Sequence, residues 1–96
     1  MSERRKAYVE KLKAQLDKWN ADIDKYEART KEAEASLKIK YEDELMKLHQ
    51  QRNDIKTRLS ALQEASEEAW DDVVDGLEKS WDIFRESMEK AMSRFK

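Results

Sequence analysis

The chain has 96 residues, 44% of them charged, with a net charge of -2, one glycine, and neither proline nor cysteine. That length allows at most one domain, and a mean hydropathy of -1.10 excludes a thick apolar core. The near-balanced charge excludes a global positive field of the kind that gathers phosphates, so no nucleic-acid partner is expected.

Ala, Glu, Lys, Leu and Arg fill 51 of the 96 positions, whereas Leu, Ile, Val and Phe fill only 17. The first figure is that of a long helix or coiled coil, and the second means that the apolar residues must form stripes. Without cysteine there is no disulfide framework, which suits a reducing compartment. "MSERRKAYVEKLK" lacks the apolar centre of a secretion signal, and no window approaches 18 apolar residues. A cytoplasmic location is therefore expected.

The first element carries a heptad seam. Val9, Leu12, Leu16, Trp19, Ile23, Tyr26, Thr30, Ala33 and Leu37 alternate steps of three and four, which stacks them along one side of a helix. Tyr41 and Leu45 then follow at four each, a stutter that unwinds a left-handed supercoil locally. Leu48, Arg52, Ile55, Leu59 and Leu62 resume the alternation. Because "RTKEAEASLKIKYEDEL" contains no breaker, the pattern predicts one helix over residues 3–64. Glu27–Lys31, Glu34–Lys38, Asp43–Lys47 and Asp54–Arg58 add favourable pairs at i,i+4. Thr30, Arg52 and the stretch from Lys40 to Glu44 put polar groups in or beside the seam, where they either fix register or are simply solvated.

A boundary is expected at 63–66. Ser66 can cap a helix start, Glu67, Glu68, Asp71 and Asp72 follow it, and Lys90, Arg94 and Lys96 close the chain, all in the sense that opposes the helix macrodipole. Charge also changes there. Residues 1–65 hold 15 bases and 13 acids, net +2, while 66–96 hold 5 and 9, net -4. Two parts follow: a heptad-bearing helix in 1–65 and an amphipathic helix in 66–96, the latter spanning about 67–95.

The second part repeats every eleven residues, "SEEAWDDVVDG" lying over "LEKSWDIFRES" and then over "MEKAMSRFK". Trp70, Trp81 and Met92 share a register; so do Val73, Phe84 and Phe95, and Ala69, Ser80 and Ala91. Eleven residues are close to three helical turns, so Trp70, Val73, Val74, Leu77, Trp81, Phe84, Met88, Ala91, Met92 and Phe95 collect within an arc of about 100°. Gly76 lies on the polar flank and marks either a bend or a close contact. The apolar face calls for another helix. A lipid surface is the alternative, opposed by Asp71, Asp72, Asp75, Glu78, Asp82, Glu86 and Glu89, which would repel anionic headgroups.

Chemistry is sparse. His49 is the only histidine and sits beside the seam; "DIDKYE" at 22–27 has the Asp-x-Asp of a calcium loop but no turn glycine; no phosphate loop or nucleophile motif occurs. Arg4, Arg5 and Lys6 are too few bases to follow a major groove. No catalytic residue, cofactor or metal is expected, and the chain does not read as an enzyme.

Residues 8–45, "YVEKLKAQLDKWNADIDKYEARTKEAEASLKIKYEDEL", together with 64–95, "EASEEAWDDVVDGLEKSWDIFRESMEKAMSRF", resemble small bacterial coiled-coil proteins of a stress-response family. "LDKWN" and the paired "AWD" and "SWD" carry the likeness. It implies a cytoplasmic, stress-linked protein and no reaction or ligand. Within it, Gly76 departs from uninterrupted helix.

The reading is thus an all-α protein, a long helix with a shorter amphipathic C-terminal helix in coiled-coil packing. At 1.5 Å per residue the two run on the order of 90 and 45 Å, so the short one covers only part of the long one. The leftover seam implies a homodimer or higher homo-oligomer, or docking to another helical protein. Val9, Leu12, Leu16, Trp19, Ile23, Tyr26, Leu37, Leu45, Leu48, Ile55, Leu59, Leu62, Trp70, Val73, Leu77, Trp81, Phe84, Met88 and Phe95 are the expected packing residues. The expected role is non-enzymatic, structural or interaction-based, with peripheral lipid binding as the alternative.

Overall fold

The computed structural model describes residues 2–93. They form three helices, α1 (Glu3–Glu32), α2 (Ala35–Glu64) and α3 (Trp70–Ser93), and the fold is all-α. α1 opens on Ser2, whose hydroxyl oxygen accepts from the Arg5 N–H at 3.2 Å. Glu3 in its first turn and Arg29 and Lys31 in its last complement the macrodipole.

The one helix expected over 3–64 is two. Ala33 (φ -70°, ψ 153°) and Glu34 (φ -60°, ψ 149°) are both extended, and these two residues reverse the chain. Neither conformation needs glycine or proline, which is why no breaker residue announced the turn. It falls just before the stutter, where a continuous helix would have carried the later half of the seam away from the first. Folding back lets both halves face each other. Glu34 offers α2 no side-chain cap, so packing holds this end. The Tyr26 ring meets Tyr41 edge-on at 6.3 Å, its hydroxyl donates to Glu44 Oε2 at 2.6 Å, and the Thr30 hydroxyl donates to the Tyr26 carbonyl.

α2 ends at Glu64, inside the expected boundary. Ser66 Oγ accepts from the Ala69 N–H at 3.2 Å, but residues 67–69 form a turn, and α3 starts at Trp70 rather than 67. Phe95 lies outside the described residues.

Contacts set the topology. Tyr8 meets Trp70 and Trp19 meets Phe84, so α1 and α3 run parallel; Arg58 lies by Gly76 while Leu48 and Ala91 share a cleft, so α2 runs antiparallel to α3. The result is a rod of 51 × 18 × 17 Å. Val9, Leu16, Trp19, Ile23, Tyr26, Leu45, Leu48, Ile55, Leu59, Leu62, Trp70, Leu77, Phe84, Met88 and Ala91 form its core. Each fully buried aliphatic or aromatic side chain there contributes on the order of 1.5–3 kcal/mol.

The eleven-residue repeat now has a structural meaning. Its large members, Trp70 and Trp81, turn toward α1, against Tyr8 and Trp19. Its small members turn toward α2: Gly76 against Arg58, Ser80 beside Gln50 and Gln51, Ser87 and Ala91 beside Leu48. Small residues let α2 and α3 approach closely, whereas rings hold α1 and α3 apart, and those two touch least. Gly76 therefore marks a close contact within an unbroken helix, not a bend.

Two substitutions test this reading. Ala35 opens α2, where a helix start leaves its N–H without an intrahelical partner, and the extended Glu34 before it already suits a following proline. Ala35→Pro is expected to hold or raise stability by about 0.4–1 kcal/mol in urea unfolding; a loss near 3 kcal/mol, the cost of proline inside a helix, would restore the continuous rod. At Gly76 an added Cβ would come 3.0 Å from Arg58 Nη1, the free end of a half-exposed side chain able to swing aside. Gly76→Ala should raise stability by up to about 1 kcal/mol, and Gly76→Leu should lower it.

Candidate interaction face

Fourteen of the expected packing residues are buried within the one chain: Val9, Leu16, Trp19, Ile23, Tyr26, Leu45, Leu48, Ile55, Leu59, Leu62, Trp70, Leu77, Phe84 and Met88. Leu12, Val73 and Trp81 are half-buried. Leu37 is exposed at 42%, because the helix that would have carried it along the α1 seam ends at Glu32. The leftover seam from which self-association was expected is thus covered by the fold, since α1 and α2 are 30 residues each and lie against one another. The α3 stripe is likewise covered, and a lipid surface could reach Leu77, Phe84 and Met88 only by unpacking the bundle.

A groove stays open between α1 and α3. It is lined by Tyr8, Leu12, Leu77, Glu78, Trp81, Asp82 and Arg85, with a volume of about 230 Å³. Rings prop it open. Trp19 packs against Trp81 at 4.8 Å and edge-on against Phe84 at 4.9 Å, at a spacing that smaller residues would close. At the lower end Tyr8 meets Trp70 edge-on at 6.3 Å, and the Arg5 guanidinium stands 4.8 Å over the Trp70 ring, a contact worth about 0.5–1 kcal/mol at an exposed site. Sequence reasoning passed over Tyr8. It lies four positions before Leu12, at the seam's edge, where a ring can serve core and water at once.

The Tyr8 hydroxyl donates to Glu78 Oε1 at 3.1 Å, a direct polar link across the groove. Partial burial, then this hydrogen bond and the nearby carboxylate charge, push the phenol up to about 12, because each disfavours a phenolate.

A larger cleft, about 510 Å³, opens between α2 and α3 around Glu44, Lys47, Leu48, Ser87, Lys90, Ala91 and Ser93. Its carboxylate is engaged by the Tyr26 hydroxyl and the Ser93 hydroxyl by the Lys90 carbonyl, so few free groups converge there. His49 is half-buried on α2, and Arg52 sends one guanidinium nitrogen to Asn53 while its Nε is buried without a partner. Among the described residues no three His, Cys, Asp or Glu side chains gather as a metal site would require, and no helix is long and apolar enough to cross a membrane. Ile39, Met46 and Ile83 are exposed, as surface apolar residues often are. Of the expected i,i+4 pairs, Asp54–Arg58 forms an ion pair at 3.0 Å, whereas Glu34–Lys38 starts in the turn itself.

No protein-family model, curated protein or solved structure matches the chain.

The Tyr8–Glu78 link gives a pH test. A phenol whose folded pKa is raised favours the fold fully below its ordinary value near 10, and that contribution fades as pH rises from there through about 12. Spectrophotometric titration should therefore show a tyrosine component near 12 that is missing in Tyr8→Phe. Glu78→Gln should bring it down only partway, since burial is the larger cause. A Tyr8 that ionises at its ordinary value in the folded chain would contradict the link.

Proposed function

We propose that this chain is a non-enzymatic helical interaction protein that associates with itself, a coiled-coil-type module acting through packing. The observation that carries the reading is the α1/α3 groove, where Tyr8, Leu12 and Trp81 are covered on one side and wet on the other. Rings fixed in a rigid wall lose little freedom when a second surface covers them, so they suit an interface. Charged side chains elsewhere are spread around a rod, an arrangement that favours binding by shape over chemistry in a water-restricted site. The stress-response setting implied by residues 8–45 and 64–95 is part of this proposal and rests on those segments alone.

Sedimentation equilibrium of the full chain over a dilution series, with circular dichroism and iodide quenching of tryptophan on the same samples, tests it. The expected result is a mass that rises with concentration while helicity stays constant and quenching falls. A monomer at every concentration, with tryptophan equally quenched throughout, would overturn self-association.

A further inference from the structure

We propose that two copies meet across their α1/α3 grooves, parallel and side by side, about a two-fold axis running along the rod; this rests on the self-association reading and specifies its geometry. Charge and height along the rod select this arrangement. Arg4, Lys11, Lys18 and Lys25 recur every seven residues on α1, all exposed. They form the row next to Tyr8 and Gln15, on the side away from Leu12 and Trp19, and so flank the groove on its water side. On the opposite flank Asp75, Asp82 and Glu89 also recur every seven residues on α3, all exposed and next to Glu78, which touches Tyr8.

The two rows stand level. Arg5 lies over Trp70 and Trp19 packs edge-on against Phe84, each pair 65 positions apart, and each base has its acid 64 positions on. Lys11, Lys18 and Lys25 therefore face the same water as Asp75, Asp82 and Glu89 at matching heights. Among the described residues the bases form no ion pair, nor do Asp75 and Glu89, while Asp82 takes Arg85 of its own helix.

A second copy turned about the rod's long axis lays its α1 over this α3 and its α3 over this α1. Lys18 then faces the partner's Asp82, Lys11 the partner's Asp75, and Lys25 the partner's Glu89, each contact occurring twice. Turning the copy about an axis across the rod would set base on base and acid on acid. Charge thus selects the parallel arrangement. Exposed ion pairs add little affinity singly; covering Leu12 and Trp81 supplies the attraction, and the rows fix orientation. The face is large enough. A rod 51 Å long and 18 Å wide offers roughly 900 Å², against about 800 Å² per partner in a standard interface.

Charge reversal tests this in the full chain. Lys11→Glu/Lys18→Glu/Lys25→Glu and Asp75→Lys/Asp82→Lys/Glu89→Lys should each weaken the homodimer at least about tenfold at low salt, and an equimolar mixture of the two should regain it. Lys40→Glu/Lys47→Glu/Lys56→Glu, with the same net charge but on α2, should leave the dimer intact. Cross-linking supplies an independent measurement, since the chain has no cysteine of its own. A Lys18→Cys chain mixed with an Asp82→Cys chain should form a mixed disulfide under glutathione control, and Lys11→Cys with Glu89→Cys should not. A dimer unmoved by either reversal, or one cross-linked through Lys11→Cys and Glu89→Cys, would overturn the proposal and leave self-association standing. A wild-type chain that stays monomeric would overturn both.

Discussion

Three rings meet where α1 passes α3, and the space they need sets the shape of the bundle. Trp19 sits between Trp81 and Phe84 with centroids under 5 Å away on both sides. Such rings cannot interdigitate as closely as aliphatic side chains do, so α1 and α3 stand apart. α2 closes the other two sides against the small residues of α3, from Gly76 to Ala91. A bundle of one wide and two close interfaces follows from how side-chain volume is distributed around a single helix. The same distribution explains how a chain with so few aliphatic residues folds at all. Each tryptophan buries far more surface than a valine, and three thin helices expose each ring to two neighbours at once.

Much of this was legible in the sequence, and the part that was not has a clear cause. Heptad steps from Val9 to Tyr26 and from Leu48 to Leu62 located the buried sides of α1 and α2 because burial of a helix face imposes its period on the residues. The eleven-residue repeat located the α3 stripe, and Ser66 located the turn before it. The reversal at Ala33 and Glu34 was hidden because both residues occupy ordinary extended backbone and carry no turn chemistry. Its trace was the stutter. A slip in the seam means either a local unwinding of one long helix or a place where the seam folds onto itself, and spacing alone does not distinguish them. The outcome turned on tertiary burial, which overrode the helical preference of a breaker-free stretch.

From that one miss the error in the expected packing follows. A helix of some 90 Å with a partner of half its length demands a second chain to cover the remainder; two helices of 30 residues do not. Leu37 shows the difference at a single residue, buried in a continuous seam and exposed beside a turn. The candidate face was legible only in part. Leu12 and Trp81 stood in the seam and the stripe, but nothing in either period said that they would border each other across an open groove, because that depends on which helix lies beside which.

The asymmetry of α3 would link folding to the proposed association. Residues that tighten the α2 side and those that prop open the α1 side recur on the same eleven-residue period, so neither interface can change without touching the repeat that sets the other. Filling the groove from within, by bringing α1 onto α3, would require smaller residues at 19 and 81 and would remove the apolar wall that a second copy could cover. Leaving it open costs the monomer some exposed ring surface. Charges of opposite sign run along the two edges of this groove, and in the proposed dimer they would disfavour any orientation that sets like against like.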